Sequence, residues 1–334
     1  MTPSSSDARN LRALVLSAGL GTRLRPLTYI RAKAAVPVNG EPLVRRVIRW
    51  LAGHGIREVV VNLHHRPATI AAVLGDGSDL DVRIRYTWEQ PVLGSAGGPR
   101  RALPLLTDGT HAPFLLVNGD TLTDLDVTEL IAAHHASGAK VTMALIPNPR
   151  PDKYGGVVVD QRGRVQGFTR PGAGAESFHF IGVQVVEPDV FADLEDGVPA
   201  ESVGQVYPRM MANRPGSVAA FVCEASFRDI GTPRDCLETS IALAATEGDR
   251  LEAGARVSIA KSAVVERSAL WDDVSVGAGA RLTDCIVGDR VVIAPDARYE
   301  RCAIVPAAGL AAVEGDRIDG DLLIRPLERP GGGL

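Results

Sequence analysis

Leu16-Ser17-Ala18-Gly19-Leu20-Gly21-Thr22-Arg23-Leu24-Arg25-Pro26-Leu27-Thr28 decides how this chain is read. The apolar run Leu14-Val15-Leu16 leads into it and predicts a buried strand that opens into a glycine-rich loop. Gly19 and Gly21 let the backbone turn sharply and present bare amide groups, which suit anionic oxygens. Arg23 and Arg25 add permanent positive charge whose forked donors match phosphate geometry. A loop of this kind after a first strand predicts a polyphosphate clamp. The plain alternative is a surface loop with incidental arginines. Two other glycine-rich patterns fit poorly: Gly19 to Leu24 lacks the third glycine of the dinucleotide fingerprint, and no G-K-[ST] follows for a Walker loop.

Outward from the loop, strand and helix signals alternate from Leu11 to about Ala245. Val59-Val60-Val61, Val82 to Tyr86, Phe114 to Val117 and Val141 to Ile146 read as strands. Leu43, Val44, Val47, Ile48 and Leu51 recur at helical spacing between Pro42 and Gly53. Such alternation predicts an α/β layer with a largely parallel sheet. Gly156 to Asp160 and Arg164 to Thr169 flank Gln161-Arg162-Gly163, a hairpin signal, and Phe178 to Val186 reads as another strand, so the sheet is expected to be mixed.

After about Leu251 the period changes. Apolar residues recur every six positions, at Val264, Leu270, Val276 and Leu282, then at Val287, Ile293, Tyr299 and Val305, with one five-residue step between the series. The residues between are those of tight turns. This resembles the hexapeptide left-handed parallel β-helix, a solenoid whose coils share a core. Cys285 and Cys302 each follow a repeat position by three, which predicts core thiols stacked on adjacent coils. Acyl transfer by a histidine base is unsupported there, because all seven histidines precede Phe180. Oligomerisation or buttressing of the first domain is the expected role.

At 334 residues the chain can build two domains, and its net charge of −4, without basic runs, argues against a nucleic-acid surface. Residues 1–10 are polar and read as a flexible N-terminus, and Arg329 to Leu334 ends in three glycines. No signal peptide or membrane-spanning stretch is visible. The four cysteines lack metal-ligand spacing and read as free thiols of a reducing cytoplasm. His64-His65 and His134-His135 lack the i, i+4 spacing of a helical metal site and are expected at surfaces or interfaces.

Gly19 to Thr28, followed by Lys33 and Val36-Pro37-Val38, resembles the signature of the sugar-1-phosphate nucleotidyltransferases. The resemblance covers roughly residues 11 to 306. It implies a Rossmann-like mixed-sheet nucleotidyltransferase domain over 11–248, then the β-helix over 251–306 and a C-terminal extension over 307–334. It further implies nucleotide contacts at Ala18, Gly19, Gly21 and Thr22, with Arg23 and Lys33 as the catalytic positive charges. Asp120, after Phe114-Leu115-Leu116-Val117-Asn118-Gly119, a strand running into a tight turn, and Asp229, in Phe227-Arg228-Asp229-Ile230-Gly231-Thr232-Pro233, resemble family aspartates that bind Mg²⁺; turn or helix capping is the competing explanation.

Trp88 to Gly98 resembles the family's nucleobase loop, with Glu89, Gly94 and Ser95 on the nucleotide. A carboxylate only accepts hydrogen bonds, so Glu89 facing the base favours guanine, whose pairing edge offers two adjacent donors; otherwise it is a solvated loop acid. Phe168-Thr169-Arg170-Pro171 falls where relatives place a lysine on the sugar phosphate, and Arg170 keeps that charge. Gly182 resembles the glycine against the hexose, or serves as a strand bulge.

The implied reaction joins a nucleoside triphosphate to a sugar 1-phosphate by in-line attack on the α-phosphorus, releasing pyrophosphate, through positioning and charge stabilisation. The nearest resemblance is to mannose-1-phosphate guanylyltransferases, hence GTP and mannose 1-phosphate. Uridylyl or thymidylyl transfer to another sugar, heptose or cyclitol phosphate is the alternative. Outside enzymes, a catalytically silent regulatory subunit of this fold is the competitor, which erosion of Arg23, Lys33, Asp120 and Asp229 would favour. The expected assembly is a homo-oligomer through the β-helix, with no nucleic-acid or membrane partner.

Overall fold

The computed structural model describes residues 11–107, 109–173 and 177–327; the expected flexible segment 1–10 and the last residues of the tail lie outside them. Contacts divide the chain into two compact units, one of Met1–Gly19, Val44–Pro67 and Ala71–Arg228, the other of Leu20–Leu43, Ala68–Ile70 and Asp229–Leu334. The boundary therefore cuts the glycine-rich loop itself.

The first unit is built on a nine-stranded sheet. Its strands are β1 (Arg12–Leu16), β2 (Glu58–Leu63), β3 (Arg83–Trp88), β4 (Phe114–Asn118), β5 (Val141–Pro147), β6 (Gly156–Val159), β7 (Val165–Thr169), β8 (Phe178–Val186) and β9 (Val218–Val222). The order is β7-β6-β8-β4-β1-β2-β3, with β5 pairing both β8 and β9. The pairs β1–β2, β1–β4 and β2–β3 are parallel, while β8 runs antiparallel to β4 and β5, so the sheet is mixed as expected. The β6–β7 pair forms the hairpin around Gln161-Arg162-Gly163.

Parallel strands buried on both faces need continuous aliphatic runs, and β1, β2 and β4 supply them. Leu14, Val60, Phe114, Met143 and Val186 join Phe191 and Tyr207 in one core. Helix α1 (Leu43–Gly53) buries the five apolar residues read at helical spacing. The remaining helices of this unit include α2 (Gly94–Thr107) and α3 (Val127–Ser137). Asp126 caps α3 by accepting from the amides of Thr128 and Glu129. One expectation fails on α3: His134 is 2% exposed rather than at the surface, with Nδ1 2.9 Å from Thr142 Oγ1 and Nε2 3.4 Å from Glu187 Oε1. Burial pushes its pKa down.

The second unit contains a solenoid of short parallel strands on three faces, the geometry of a β-helix. One face stacks Ser258–Ile259, Ser275–Val276 and Val292–Ile293; the others stack Val264–Glu266, Arg281–Thr283 and Arg298–Glu300, and Ala269–Leu270, Ile286–Val287 and Cys302–Pro306. The coil is 17 residues, not three hexads. The interior positions Leu270, Val276, Leu282, Val287, Ile293, Tyr299 and Ile304 show why: a five-residue step recurs in each coil, at 282–287 and again at 299–304. The repeat thus ends inward on Ile304; Val305 is buried outside that cluster. The shortened corner is turned at Arg267, Asp284 and Arg301, all at positive φ.

Cys285 and Cys302 stack on adjacent coils, their Sγ atoms 3.7 Å apart. Arg317–Asp319 and Leu322–Pro326, within the expected C-terminal extension, continue this face as antiparallel strands, and Leu322 and Ile324 join the solenoid core. Helix α4 (Pro233–Glu247) belongs to the same unit, as does Asn39, whose amide donates to Ser240 Oγ at 3.1 Å and whose Oδ1 accepts from the Arg250 amide at 3.0 Å.

Candidate active site

In the first unit the chain order along the sheet reverses between β1 and β4. Ligands of open α/β sheets bind at the carboxyl ends of the strands flanking such a switch point. The two ends are joined: the Gly119 amide donates to Leu16 O at 2.9 Å. A β-carbon on Gly119 would lie 2.6 Å from Ser17 Oγ and 2.7 Å from Leu16 O, so only glycine lets the strand ends approach. Asp120 follows, half-buried. Ala18 is buried, whereas Gly19 is exposed with open space where a side chain would stand.

Gly182 belongs to the same neighbourhood. Its φ is +81°, and a β-carbon there would meet Asn118 Nδ2 and Thr121 Oγ1, each at 2.7 Å. The register of β8 against β5 slips between Phe180 and Gln184. The bulge reading is correct, and the bulge lies against the two residues that frame Asp120. Arg170 is exposed at the end of β7, the edge strand of the sheet.

The nucleobase loop differs from expectation. Glu89 is 0% exposed, neither facing a base nor solvated. Its Oε1 accepts from Asn62 Nδ2 at 2.6 Å and its Oε2 from the Leu93 amide at 2.8 Å, while Asn62 Oδ1 accepts from the Ser17 amide at 2.6 Å. Both carboxylate oxygens are thus occupied, Oε1 tying this loop through Asn62 to the end of β1 and Oε2 closing the loop on Leu93. The small residues beyond are likewise occupied by protein. Ala200 O accepts from the amides of Ala96 and Gly97 at the start of α2, and β-carbons on Gly94 and Gly97 would strike Ala200 O and Val198 O. Ser95 Oγ donates to Glu201 Oε2 at 2.6 Å and accepts from the Ser202 amide at 2.9 Å. The glycines expected to admit a flat base admit the 198–202 segment instead. Gln90, the next residue after Glu89, is the exposed polar side chain of this loop.

In the second unit, Gly21 adopts φ +60° with Thr28 and Lys33 packed where its side chain would stand, and Thr28 Oγ1 donates to Gly21 O at 2.9 Å. Thr22 and Arg23 are exposed, and Arg25 lies over the Tyr29 ring. Gly231 is the notable neighbour of Arg23. A β-carbon on it would be 2.9 Å from Arg23 Nη1 and 3.2 Å from both Asp229 Oδ2 and Asp235 Oδ2. A guanidinium and two carboxylates thus surround a bare backbone.

Helix capping, the competing role for the two aspartates, is performed by others. Asp126 caps α3, and Asp235 with Thr232 forms the capping box of α4. Among the described residues no three acidic, histidine or cysteine side chains cluster as a metal site. Asp120 in the first unit and Asp229 in the second each offer a carboxylate, the donor type Mg²⁺ favours when phosphates and water complete its shell.

Sequence reading missed Asn62, Gly119 and Gly231, whose importance lies in contacts rather than in residue type. It also missed the cluster of tilted rings of Tyr154, His179 and Phe227, where the His179 ring centre stands 4.4 Å from that of Tyr154 and 4.7 Å from that of Phe227. Burial, outweighing a backbone contact at Gly155, pushes the His179 pKa down to about 4.

A mixed α/β sheet whose first strand runs at its switch point into a glycine-rich loop suits a nucleotide-handling protein. A family model for nucleotidyl transferases matches residues 12–246, and the chain belongs to that family, among the NTP:sugar-1-phosphate nucleotidyltransferases that form nucleotide sugars. It is 30% identical over 305 residues to a mannose-1-phosphate guanylyltransferase of Mycobacterium tuberculosis, covering 86% of this chain and 83% of that one. It is 29% identical over 218 residues to a UTP–glucose-1-phosphate uridylyltransferase of Synechocystis, covering 60% and 55%. HddC from Yersinia pseudotuberculosis, solved with GMP-PN, shares the fold at a TM-score of 0.60 and 21% identity, covering 70% of this chain and 99% of that one. Among the described residues no helix is long and apolar enough to cross a membrane.

Proposed function

We propose that this chain transfers GMP from GTP to mannose 1-phosphate, forming GDP-mannose and pyrophosphate. The observation that carries the reading is the hydrogen-bonded junction at the switch point, which sets Asp120 beside the start of the glycine-arginine loop. The preference for GTP and mannose is supported by the names of the relatives, no longer by Glu89, whose oxygens are occupied. Arg23 and Lys33 neutralise the triphosphate and the departing pyrophosphate. Asp120 and Asp229 would each supply a carboxylate to Mg²⁺, which would neutralise charge on the α-phosphate. Arg170 orients the sugar phosphate. Fixed positive charge of this kind needs no reorganisation as charge develops in the transition state.

The solenoid carries assembly into a homo-oligomer; Val292, 66% exposed where it pairs in register with Ser275, supports this. Four free cysteines suit a reducing cytoplasm.

The test is exchange of labelled pyrophosphate into GTP, dependent on mannose 1-phosphate and Mg²⁺. ATP, UTP and dTTP, and glucose, N-acetylglucosamine and heptose 1-phosphates, serve as competitors. Asp120→Asn and Asp229→Ala are expected to lower kcat by about a hundredfold or more. Exchange favouring UTP or dTTP rejects the donor assignment. No exchange with any pair rejects the reaction, and an Asp229→Ala variant equal to the parent revives the regulatory reading.

A further inference from the structure

Arg31, two residues before Lys33, is 9% exposed although it carries a full charge. Its Nε donates to Asp289 Oδ2 at 2.8 Å, and its Nη2 donates to Asp289 Oδ1 at 2.7 Å and to Asp272 Oδ2 at 2.6 Å. The two acids occupy equivalent positions on successive coils, 17 residues apart. Coil backbone orients both of them. Asp272 Oδ1 accepts from the Ala255 amide at 2.8 Å, and Asp289 Oδ1 accepts from the Asp272 amide at 3.2 Å. The guanidinium carbon also stands 5.3 Å from the centre of the Trp271 ring. Beside it, Ile30 packs where the coil has no side chain: a β-carbon on Gly288 would lie 2.5 Å from Ile30 Cδ1.

From Arg31 the constraint passes to Lys33 through a short backbone held on both sides of Lys33. The Ala32 amide donates to Thr69 Oγ1 at 3.0 Å, and the Ala35 amide donates to Ala32 O at 2.8 Å, closing the turn Lys33–Ala35. Lys33 Cβ then packs over Gly21, 3.1 Å from where that residue's β-carbon would be. A buried arginine between two carboxylates is a poor route to stability, because apolar residues of similar volume would serve as well. What it supplies is direction: a planar fork matched to two fixed acids admits one placement of the backbone that carries it.

We propose that Arg31 is a positioning residue for the reaction proposed above, on which this inference rests. Two solenoid carboxylates hold it, and through it they set where Lys33 presents its ammonium to the triphosphate. The solenoid is on this reading a template for the phosphate loop, whatever it does for assembly.

The experiment compares Arg31→Gln, Asp289→Asn and Asp272→Asn in the full chain, each verified as folded by circular dichroism. The expected result is a fall of about tenfold to a hundredfold in kcat/KM for the nucleotide, since small misplacements of a catalytic group carry losses of that order. KM for the sugar phosphate stays within twofold. Asp272→Asn leaves the bidentate Arg31–Asp289 pair in place and gives the smallest loss; it supplies the readout if Arg31→Gln does not fold. In a Lys33→Ala background, Arg31→Gln is expected to cost less than a further twofold, because both remove the same interaction. A merely structural role would lower activity with both substrates and add to the Lys33→Ala loss. That outcome, or folded variants with unchanged nucleotide kinetics, overturns the inference while leaving the reaction standing. A parent protein without pyrophosphate exchange instead defeats the reaction itself.

Discussion

Replacing Glu89 by methionine keeps the side-chain volume near that of the parent and removes both acceptor oxygens. Two buried donors, Asn62 Nδ2 and the Leu93 amide, then lose partners that stood at 2.6 and 2.8 Å. Each orphaned buried donor costs about 1–3 kcal/mol, and part of this is offset because the carboxylate no longer has to be desolvated, leaving roughly 3 kcal/mol of destabilisation. Asn62 cannot turn its oxygen towards Leu93 without abandoning the Ser17 amide, so relaxation is limited. Glu89→Gln retains one of the two acceptors and should lose about half as much. The assay is urea unfolding at neutral pH followed by tryptophan fluorescence, since Trp88 adjoins the site. Alongside it, the preference among the four nucleoside triphosphates is measured on folded protein and is expected to stay as in the parent. A Glu89→Met variant within about 0.5 kcal/mol of the parent, or an altered base preference at unchanged stability, would refute the argument that this carboxylate is a loop clamp.

Gly182→Ala forces a side chain at φ +81° into Asn118 and Thr121; it is expected to cut kcat/KM at least tenfold by displacing the turn that carries Asp120, read by steady-state kinetics. The buried His179 has a folded-state pKa of about 4, below the unfolded value of 6.5, so the unfolded chain binds more protons between these limits. Stability contributed by the neutral ring is therefore intact above pH 6.5 and lost as pH falls towards 4. His179→Phe should flatten that part of the stability profile, and an unchanged profile would count against it. Cys236, Cys285 and Cys302 are buried and Cys223 only half so; a thiol reagent should therefore label Cys223 first, the rest only after unfolding, as mass spectrometry would show.

Much of the molecule was legible because it is written in short-range periods. Aliphatic runs marked β1, β2 and β4, helical spacing marked α1, and the six-residue period marked the solenoid. That period also misled slightly, since one corner of each coil, at Asp284 and its equivalent Arg301, is turned in five residues rather than six. The glycine-arginine loop was readable because backbone freedom and fixed charge are properties of the residues themselves.

The role of a carboxylate is different in kind. Glu89 reads in sequence as a loop acid poised for a ligand. Only the folded chain reveals Asn62, 27 residues away, and the Leu93 amide converging on it. In the same way nothing near Arg31 in sequence announces Asp272 and Asp289, more than two hundred residues distant. Sequence by itself determined the strands, the repeat and the phosphate-suited loop, because local backbone preference and hydrophobic period act over a few residues. Tertiary structure alone decided which polar groups are spent on one another, because hydrogen-bond satisfaction depends on neighbours brought together by the fold.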